Sequence, residues 1–187
     1  MRDAVRRCGA AVLCDDAWMT GPVELRPGSL ADLPALEPLW VSVHHHHAQS
    51  MPELAPYVDD TQTWAARSQL YRELLGKPGT ILVLASAAGG LVGYGLAHVM
   101  PAAGTWTADT WQTGAQIGEI ESLGVLPACR GQGIGSRLLD ELISRLAAAG
   151  VHDLVLGVVP GNTAAIRLYE RYGFRPTWSY LSRFAGR

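Results

Sequence analysis

The residues of this 187-residue sequence that are most suited to chemistry are two glutamates and the glycine-rich loop that follows them. Glu119 and Glu121 lie two positions apart in the apolar segment AQIGEIESLGVLP, whose pattern predicts a β-strand. Because alternate residues of a strand point to the same side of a sheet, both carboxylates should share one face. A carboxylate held in this way is a candidate general base. The alternative is that one of the two faces solvent or pairs with an arginine.

The glycine-rich loop follows this strand directly, in the segment ESLGVLPACRGQGIGSRLLDEL. Gly131, Gly133 and Gly135 allow the backbone to approach a ligand closely, and an amphipathic helix is predicted to begin at Ile134. The free N–H groups of the first helical turn and the positive end of the helix dipole suit such a loop to a diphosphate. Arg130 adds a full positive charge at its mouth.

Two other interpretations of the loop stay open. It could be a tight strand-to-helix turn that binds no ligand. It could also belong to a dinucleotide-binding fold, for which competition by NAD but not by CoA would be evidence. The fingerprint of that fold is G-x-G-x-x-G, and here the third glycine comes one place early because position 136 is a serine.

The elements that must position these residues alternate in the manner of a single α/β domain. Strands are predicted at VELRP, TILVLAS, GLVGYGLAHVM, AQIGEIESLGVLP, DLVLGVV and WSYLSRF. Helices are predicted after Ser29, from about Thr61 to Leu75, from Ile134 to a stop at Gly150, and over NTAAIRLYERYGF. The two strands around Ala88–Gly90 should form an antiparallel hairpin. PAAGTWTADTWQTG is predicted to be a long loop.

Composition limits the classes of partner. A net charge of −2 gives no reason to expect a nucleic-acid partner, and no apolar run approaches the roughly 18 residues of a membrane helix. The three cysteines, Cys8, Cys14 and Cys129, are odd in number and lack CxxC spacing, which favours a reducing, cytoplasmic setting. Residues 1–20 are predicted to be a poorly structured extension, or the product of an upstream start codon, and 21–187 to be the domain.

Two segments resemble motifs of one family. VLPACRGQGIGSRLL resembles the acetyl-CoA-binding motif of the GNAT superfamily of N-acetyltransferases, and VVPGNTAAIRLYERYGF resembles that family's second motif, in the same order and spacing. The resemblance extends over residues 23–184. It implies an α/β GNAT fold, with a mixed central sheet of six to seven strands and about four helices on its faces.

The resemblance also implies roles for individual residues. Leu123 and Val125 would offer backbone groups to the pantetheine arm, where two central strands separate. Asn162 would contact the cofactor and Tyr169 would lie near its sulfur. The full set of cofactor-binding residues implied is Leu123, Gly124, Val125, Arg130, Gly131, Gln132, Gly133, Ile134, Gly135, Ser136 and Asn162.

The implied reaction is the attack of an amine on the acetyl thioester. An alkyl amine has a pKa near 10, so only about one molecule in a thousand is neutral at pH 7, and deprotonation costs roughly 4 kcal/mol. Glu119 and Glu121 are therefore the candidate general bases, and Tyr169 is the candidate hydrogen-bond donor to the leaving thiolate. The sequence does not distinguish between the two glutamates.

The histidine run His44–His47 and several tryptophans are the candidates for binding the acceptor amine. The run lies at the end of the first helix, which borders the acceptor site in the family, so it is either part of the acceptor pocket or a solvated helix end. A metal site is disfavoured because only His44 and His47 share a helical face and no cysteine or carboxylate is adjacent. The predicted acceptor-binding residues are Trp40, His44, His47, Trp106 and Trp111, the last two being alternatively a small aromatic cluster.

The sequence therefore predicts an acetyl-CoA-dependent N-acetyltransferase that acts on a primary amine of a small molecule or peptide, without a metal. The alternative is an acyl-CoA-binding sensor of the same fold that does not turn over. Homodimers are frequent in the family, so a homodimer is a further expectation.

Overall fold

The central sheet of the computed structural model, which describes residues 22–87 and 90–185, has five strands in this part of the chain. They are β1 (Glu24–Pro27), β2 (Ile81–Ala87), β3 (Gly90–Pro101), β4 (Gln116–Val125) and β5 (Leu154–Leu156), and they lie side by side in chain order. The first four are antiparallel, and β5 is parallel to β4. The predicted extension over residues 1–20 lies outside the described residues, as do Ala88 and Gly89 of the predicted hairpin turn.

The same ranges contain five α-helices. They are α1 (Glu37–Ser50), α2 (Asp60–Leu75), α3 (Trp106–Thr110), α4 (Ile134–Ala148) and α5 (Thr163–Arg171). A 3₁₀-helix over Leu30–Leu36 leads into α1, and Ser29 caps it as the sequence predicts. No helix of the described residues is long and apolar enough to cross a membrane.

The two faces of the sheet bury different helices. Leu82 and Leu84 of β2 lie in a cluster with residues of α1 and α2, whereas their neighbours Val83 and Ala85 pack with α4. This alternation is the period of two that a strand buried on both faces requires. The side chains of α5 pack on the α4 side, where Tyr169 joins the core.

A β-bulge interrupts the pairing of β3 with β4 beside the candidate glutamates. Leu96 is opposite Ser122 and Ala97 is opposite Ile120, so Glu121 has no partner across the ladder. Ile120 accordingly packs with the α4 cluster, while Ser122 hydrogen-bonds a side chain of α2. The extra residue thus directs Glu121 and Ser122 together to the face that carries α1 and α2.

Two expectations about the elements were wrong. The sheet has five strands in the described residues instead of six to seven, because WSYLSRF (178–184) pairs with no strand and has no regular secondary structure. A strand is stabilised only by a neighbouring ladder, and here Tyr180 and Leu181 are 82% and 98% exposed. The predicted loop at 101–114 contains the short helix α3, whose first turn is capped by the Thr105 hydroxyl.

Candidate functional site

A long cleft runs along β4 and has a volume of about 870 Å³. It exists because the pairing of β4 with β5 ends at Ile120 and Leu156, so residues 121–125 have no partner on that side. Seven residues of β4, from Glu119 to Val125, line the cleft over about 20 Å. The opposite wall comes from residues 157–159 and from α5. The separation of the two strands that the resemblance implies is therefore present.

One end of the cleft is formed by the glycine-rich loop. Gly131 and Gly133 both have φ of +78°, a conformation that side-chain-bearing residues rarely adopt, and a Cβ atom on either would meet nothing within 4 Å. Gly133 is the N-cap of α4, so the first amides of that helix have no intrahelical partner and face this open space. Arg130 donates from Nε to the Val125 carbonyl at 3.1 Å, which keeps its charge at the mouth. This end can hold an anionic group.

Asn162 and Tyr169 line the same cleft, as their spacing of two helical turns predicts. The Asn162 side chain accepts a hydrogen bond from the Ala165 amide at 3.2 Å and so caps α5. Burial raises the pKa of Tyr169 to about 12, well above the usual value of a phenol. Tyr169 is therefore a neutral hydroxyl donor throughout the physiological range of pH.

The other end of the cleft holds the two glutamates, each with a different partner. Glu121 forms an ion pair with Arg67 of α2, and both side chains are less than a quarter exposed. Glu119 lies opposite His98 of β3, with Oε2 3.3 Å from the His98 Nε2. Glu119 and Glu121 both line the cleft, and Ile120 between them packs into the α4 cluster.

His98, Glu119 and Glu121 also form the one group of residues in the described part of the chain whose ligand atoms could surround a metal ion. Their candidate ligand atoms all lie within 4.8 Å of one another. Imidazole and carboxylate oxygens together suit a divalent transition metal. The expected absence of a metal therefore stays a prediction.

Arg67 is held in place by an aromatic support. Its guanidinium carbon lies 4.0 Å above the ring of Trp40, and the Trp40 Nε1 donates to the Thr63 hydroxyl at 3.0 Å. Trp40 is only 6% exposed, so it lines the cleft mainly as the surface beneath Arg67. A flat cation stacked on an indole loses little further freedom when it pairs with a carboxylate.

The histidine run divides between the cleft and the packing of α1. His46 and His47 line the cleft, and burial, with help from neighbouring positive groups, lowers the pKa of His47. His44 is buried outside the cleft, and its Nε2 is 2.9 Å from the Val58 carbonyl. His45 is exposed and lies 2.8 Å from Asp60. The run is therefore neither wholly a pocket nor wholly a solvated helix end.

Three further predicted site residues lie outside the cleft walls. Trp106 packs edge-on against Trp111 and Trp178, with ring centres 5.9 and 6.0 Å apart, which matches the aromatic-cluster alternative. Gln132 is exposed in the loop between two glycines that do line the cleft.

Several residues of the site carry no signal in the sequence. They are Arg67, His98, Ser122 and Arg171. Arg67 meets Glu121 across 54 positions of sequence, and no spacing rule reaches that far. His98 could be found only from the register of β3 against β4, which the bulge alters.

Comparisons with known proteins agree with this geometry. The sequence profile of the Acetyltransferase (GNAT) family matches residues 40–174. The mycothiol acetyltransferase of Propionibacterium freudenreichii is 36% identical over 97 residues, which cover 52% of this chain and 28% of that protein. The chain thus spans less than a third of that relative's length.

Two solved structures share the fold. A tetramutant protein of Bacillus halodurans superposes with a TM-score of 0.68 at 20% identity, covering 86% of this chain and 98% of that one. A predicted acetyltransferase of Clostridium acetobutylicum, solved with acetyl-CoA, has a TM-score of 0.65 at 18% identity, covering 87% and 96%. The family profile includes the glycine-rich loop, both glutamates and Tyr169, and it matches well over half of the sequence. The chain therefore belongs to the acetyltransferase (GNAT) family.

Proposed function

We propose that this protein transfers the acetyl group of acetyl-CoA to a primary amine of a small molecule or peptide. The observation that carries the proposal is one continuous cleft with an anion-binding loop at one end and two carboxylates at the other. The acetyltransferase of C. acetobutylicum, which shares the fold, was solved with acetyl-CoA. The sequence relatives named mycothiol acetyltransferases support the same class of reaction.

The loop residues fit the diphosphate of this cosubstrate. Free amides at the start of α4, open space above Gly131 and Gly133, and the Arg130 charge together favour a doubly anionic group. We assign the unpaired edge of β4 at Leu123, Gly124 and Val125 to the pantetheine arm, because its backbone groups there have no partner on β5.

Glu119 is the better candidate for the general base. Protonating Glu121 would break its ion pair with Arg67 and leave a permanent guanidinium charge unpaired at the cleft. Protonating Glu119 would leave no guanidinium unpaired, since the side chain opposite it is the imidazole of His98. We therefore assign Glu119 to proton removal from the amine and Glu121 to holding Arg67 in place, with His46 and His47 on the wall that the acceptor meets.

Tyr169 is suited to stabilise the leaving sulfur by a hydrogen bond without giving up its proton. A thiol has a pKa near 8.5, so full transfer from a phenol at about 12 would be uphill by about 5 kcal/mol. A neutral hydroxyl beside a developing thiolate still lowers the barrier, because the hydrogen bond strengthens as charge accumulates on sulfur.

Tyr169→Phe should lower kcat by about tenfold to a hundredfold. This loss is smaller than the loss of a general acid usually causes, because Tyr169 donates a hydrogen bond and transfers no proton. CoA affinity should not change. In the wild type, kcat should not fall on the alkaline side below about pH 11, because the phenol loses its donor proton only near its pKa of about 12. Steady-state rates from pH 6 to 11 check both statements. An alkaline limb near pH 10 that disappears in Tyr169→Phe would contradict this role.

Thiol release from acetyl-CoA across a panel of amines tests the proposed function itself. We expect amine-dependent release and an acetylated amine detectable by mass spectrometry. Tight CoA binding without release for any amine would favour an acyl-CoA sensor. Competition by NAD but not by CoA would favour a nucleotide-binding domain. The cytoplasmic setting and the homodimer expected from the sequence stay predictions.

A further inference from the structure

A chain of three hydroxyl groups reaches the cleft from the core beneath it. The hydroxyl of Tyr94, on β3, lies 2.9 Å from that of Tyr71, on α2, and Tyr71 donates to the Ser122 hydroxyl at 2.5 Å. Tyr71 and Tyr94 are fully buried. Ser122 is 8% exposed and lines the cleft next to Glu121. This row of three hydroxyl groups thus begins in the core and ends in the cleft, next to the glutamates.

The direction of this chain follows from the number of protons. Three hydroxyls share two hydrogen bonds, so one proton remains. Tyr71 gives its proton to Ser122, so Tyr94 must be the donor to Tyr71, and the remaining proton belongs to Ser122. Ser122 also lies within reach of Tyr94, so this proton can turn toward Tyr94 or into the cleft. The order of donors is therefore Tyr94 to Tyr71 to Ser122.

Both tyrosines stay neutral in this environment, which the order requires. Burial raises the pKa of Tyr71 and raises that of Tyr94 well above its usual value. Because Tyr71 occupies a lone pair of Ser122, the proton of Ser122 is not used by these two bonds, and an oxygen atom bound in the cleft can accept it. The bulge at Glu121 places this donor on the face of α1 and α2, away from Tyr169 on the α4 side.

We propose that Ser122 is a specificity-determining residue, whose hydroxyl donates a hydrogen bond to an oxygen atom of the acceptor near its reacting amine. The inference rests on the proposed function and narrows it to amines that carry a nearby ether, hydroxyl, carbonyl or carboxylate oxygen. Such a donor favours the molecule that carries the oxygen, because an otherwise equal molecule without it cannot form this hydrogen bond.

The test compares pairs of amines that differ only in one oxygen. Methoxyethylamine is paired with butylamine and methoxypropylamine with pentylamine, so each pair has equal length. The ratio of kcat/KM within a pair is measured for the wild type and for Ser122→Ala. Differences in amine basicity cancel, because the same pair is used with both proteins. In at least one pair, the preference for the ether should be about fivefold greater in the wild type, as one neutral hydrogen bond predicts.

Two tyrosine variants separate recognition from mere packing. Tyr71→Phe removes the donor that orients Ser122 and should reduce the preference, whereas Tyr94→Phe leaves that bond intact and should keep it. Titration with CoA should give wild-type affinity in all three variants, which shows that the fold is preserved.

The possible outcomes decide between distinct conclusions. Equal loss of kcat with both members of every pair in Ser122→Ala would assign the hydroxyl to the acetyl group or to architecture and would overturn the inference. Equal ratios in wild type and Ser122→Ala would overturn it as well. Absence of thiol release with every amine would instead contradict the proposed function, and this inference would fall with it.

Discussion

Gly133→Asp should weaken the binding of CoA by about a hundredfold or more while the fold survives. No atom lies within 4 Å of a Cβ at this position, so the new carboxylate enters the open space in front of α4 without displacing protein. There it faces the proposed diphosphate site, and two like charges at about 4 Å repel by about 4 kcal/mol at an effective dielectric constant of about 20. Calorimetric titration with CoA measures the change.

Two matched variants isolate the cause of that loss. Gly133→Asn has the same shape without the charge, and asparagine tolerates positive φ as well as aspartate does, so its loss should be at least tenfold smaller. Gly104→Asp carries the same strain and charge at φ +80° in a loop outside the cleft walls, and CoA affinity should not change. If Gly133→Asp bound CoA like the wild type, the loop would not be the diphosphate site.

Glu119→Gln should lower kcat/KM for the amine by about a hundredfold to a thousandfold at pH 7, within the range of a lost general base. The deficit should shrink as pH rises. Because an alkyl amine has a pKa near 10, its neutral fraction grows about a hundredfold from pH 7 to pH 9, and the variant then needs less help in losing the proton. Rates of thiol release over this range at subsaturating amine provide the measurement.

Glu121→Gln is the matched comparison, since it changes the same type of side chain two positions away. It removes the partner of Arg67, so we expect a loss of no more than about tenfold that stays constant with pH. The assignment of the base would be reversed if Glu121→Gln showed the large loss that higher pH restores. Wild-type rates in both variants would exclude either carboxylate as the base.

Local patterns in the sequence were sufficient for the elements that form the end of the cleft that we assign to the cosubstrate. The glycines predict a tight loop between strand and helix, which the structure has with Gly131 and Gly133 at positive φ, and the apolar spacing after Ile134 predicts the helix that follows. Loop, cap and helix are contiguous, so each one constrains the next within a few residues. The spacing of Asn162 and Tyr169 on one short helix predicts their common side for the same reason.

The same reasoning failed at the end of the chain. WSYLSRF has the composition of a strand, but a strand requires a partner, and β5 pairs over only three residues with β4. Local preference for an extended conformation therefore produced no sixth strand in the described residues.

The end of the cleft that we assign to the amine was decided by tertiary structure. One extra residue in β4 turns Glu121 and Ser122 to the same face, and no feature of the sequence indicates where a ladder will slip. That slip brings Glu121 to Arg67 and Ser122 to Tyr71, pairs that come from strands and helices about 50 positions apart. Sequence alone thus determined the loop, the longer helices and two candidate bases, because those depend on neighbours along the chain. The partner of each glutamate, and the burial of Ser122 beside Tyr71, depend on contacts that exist only once the sheet register is formed.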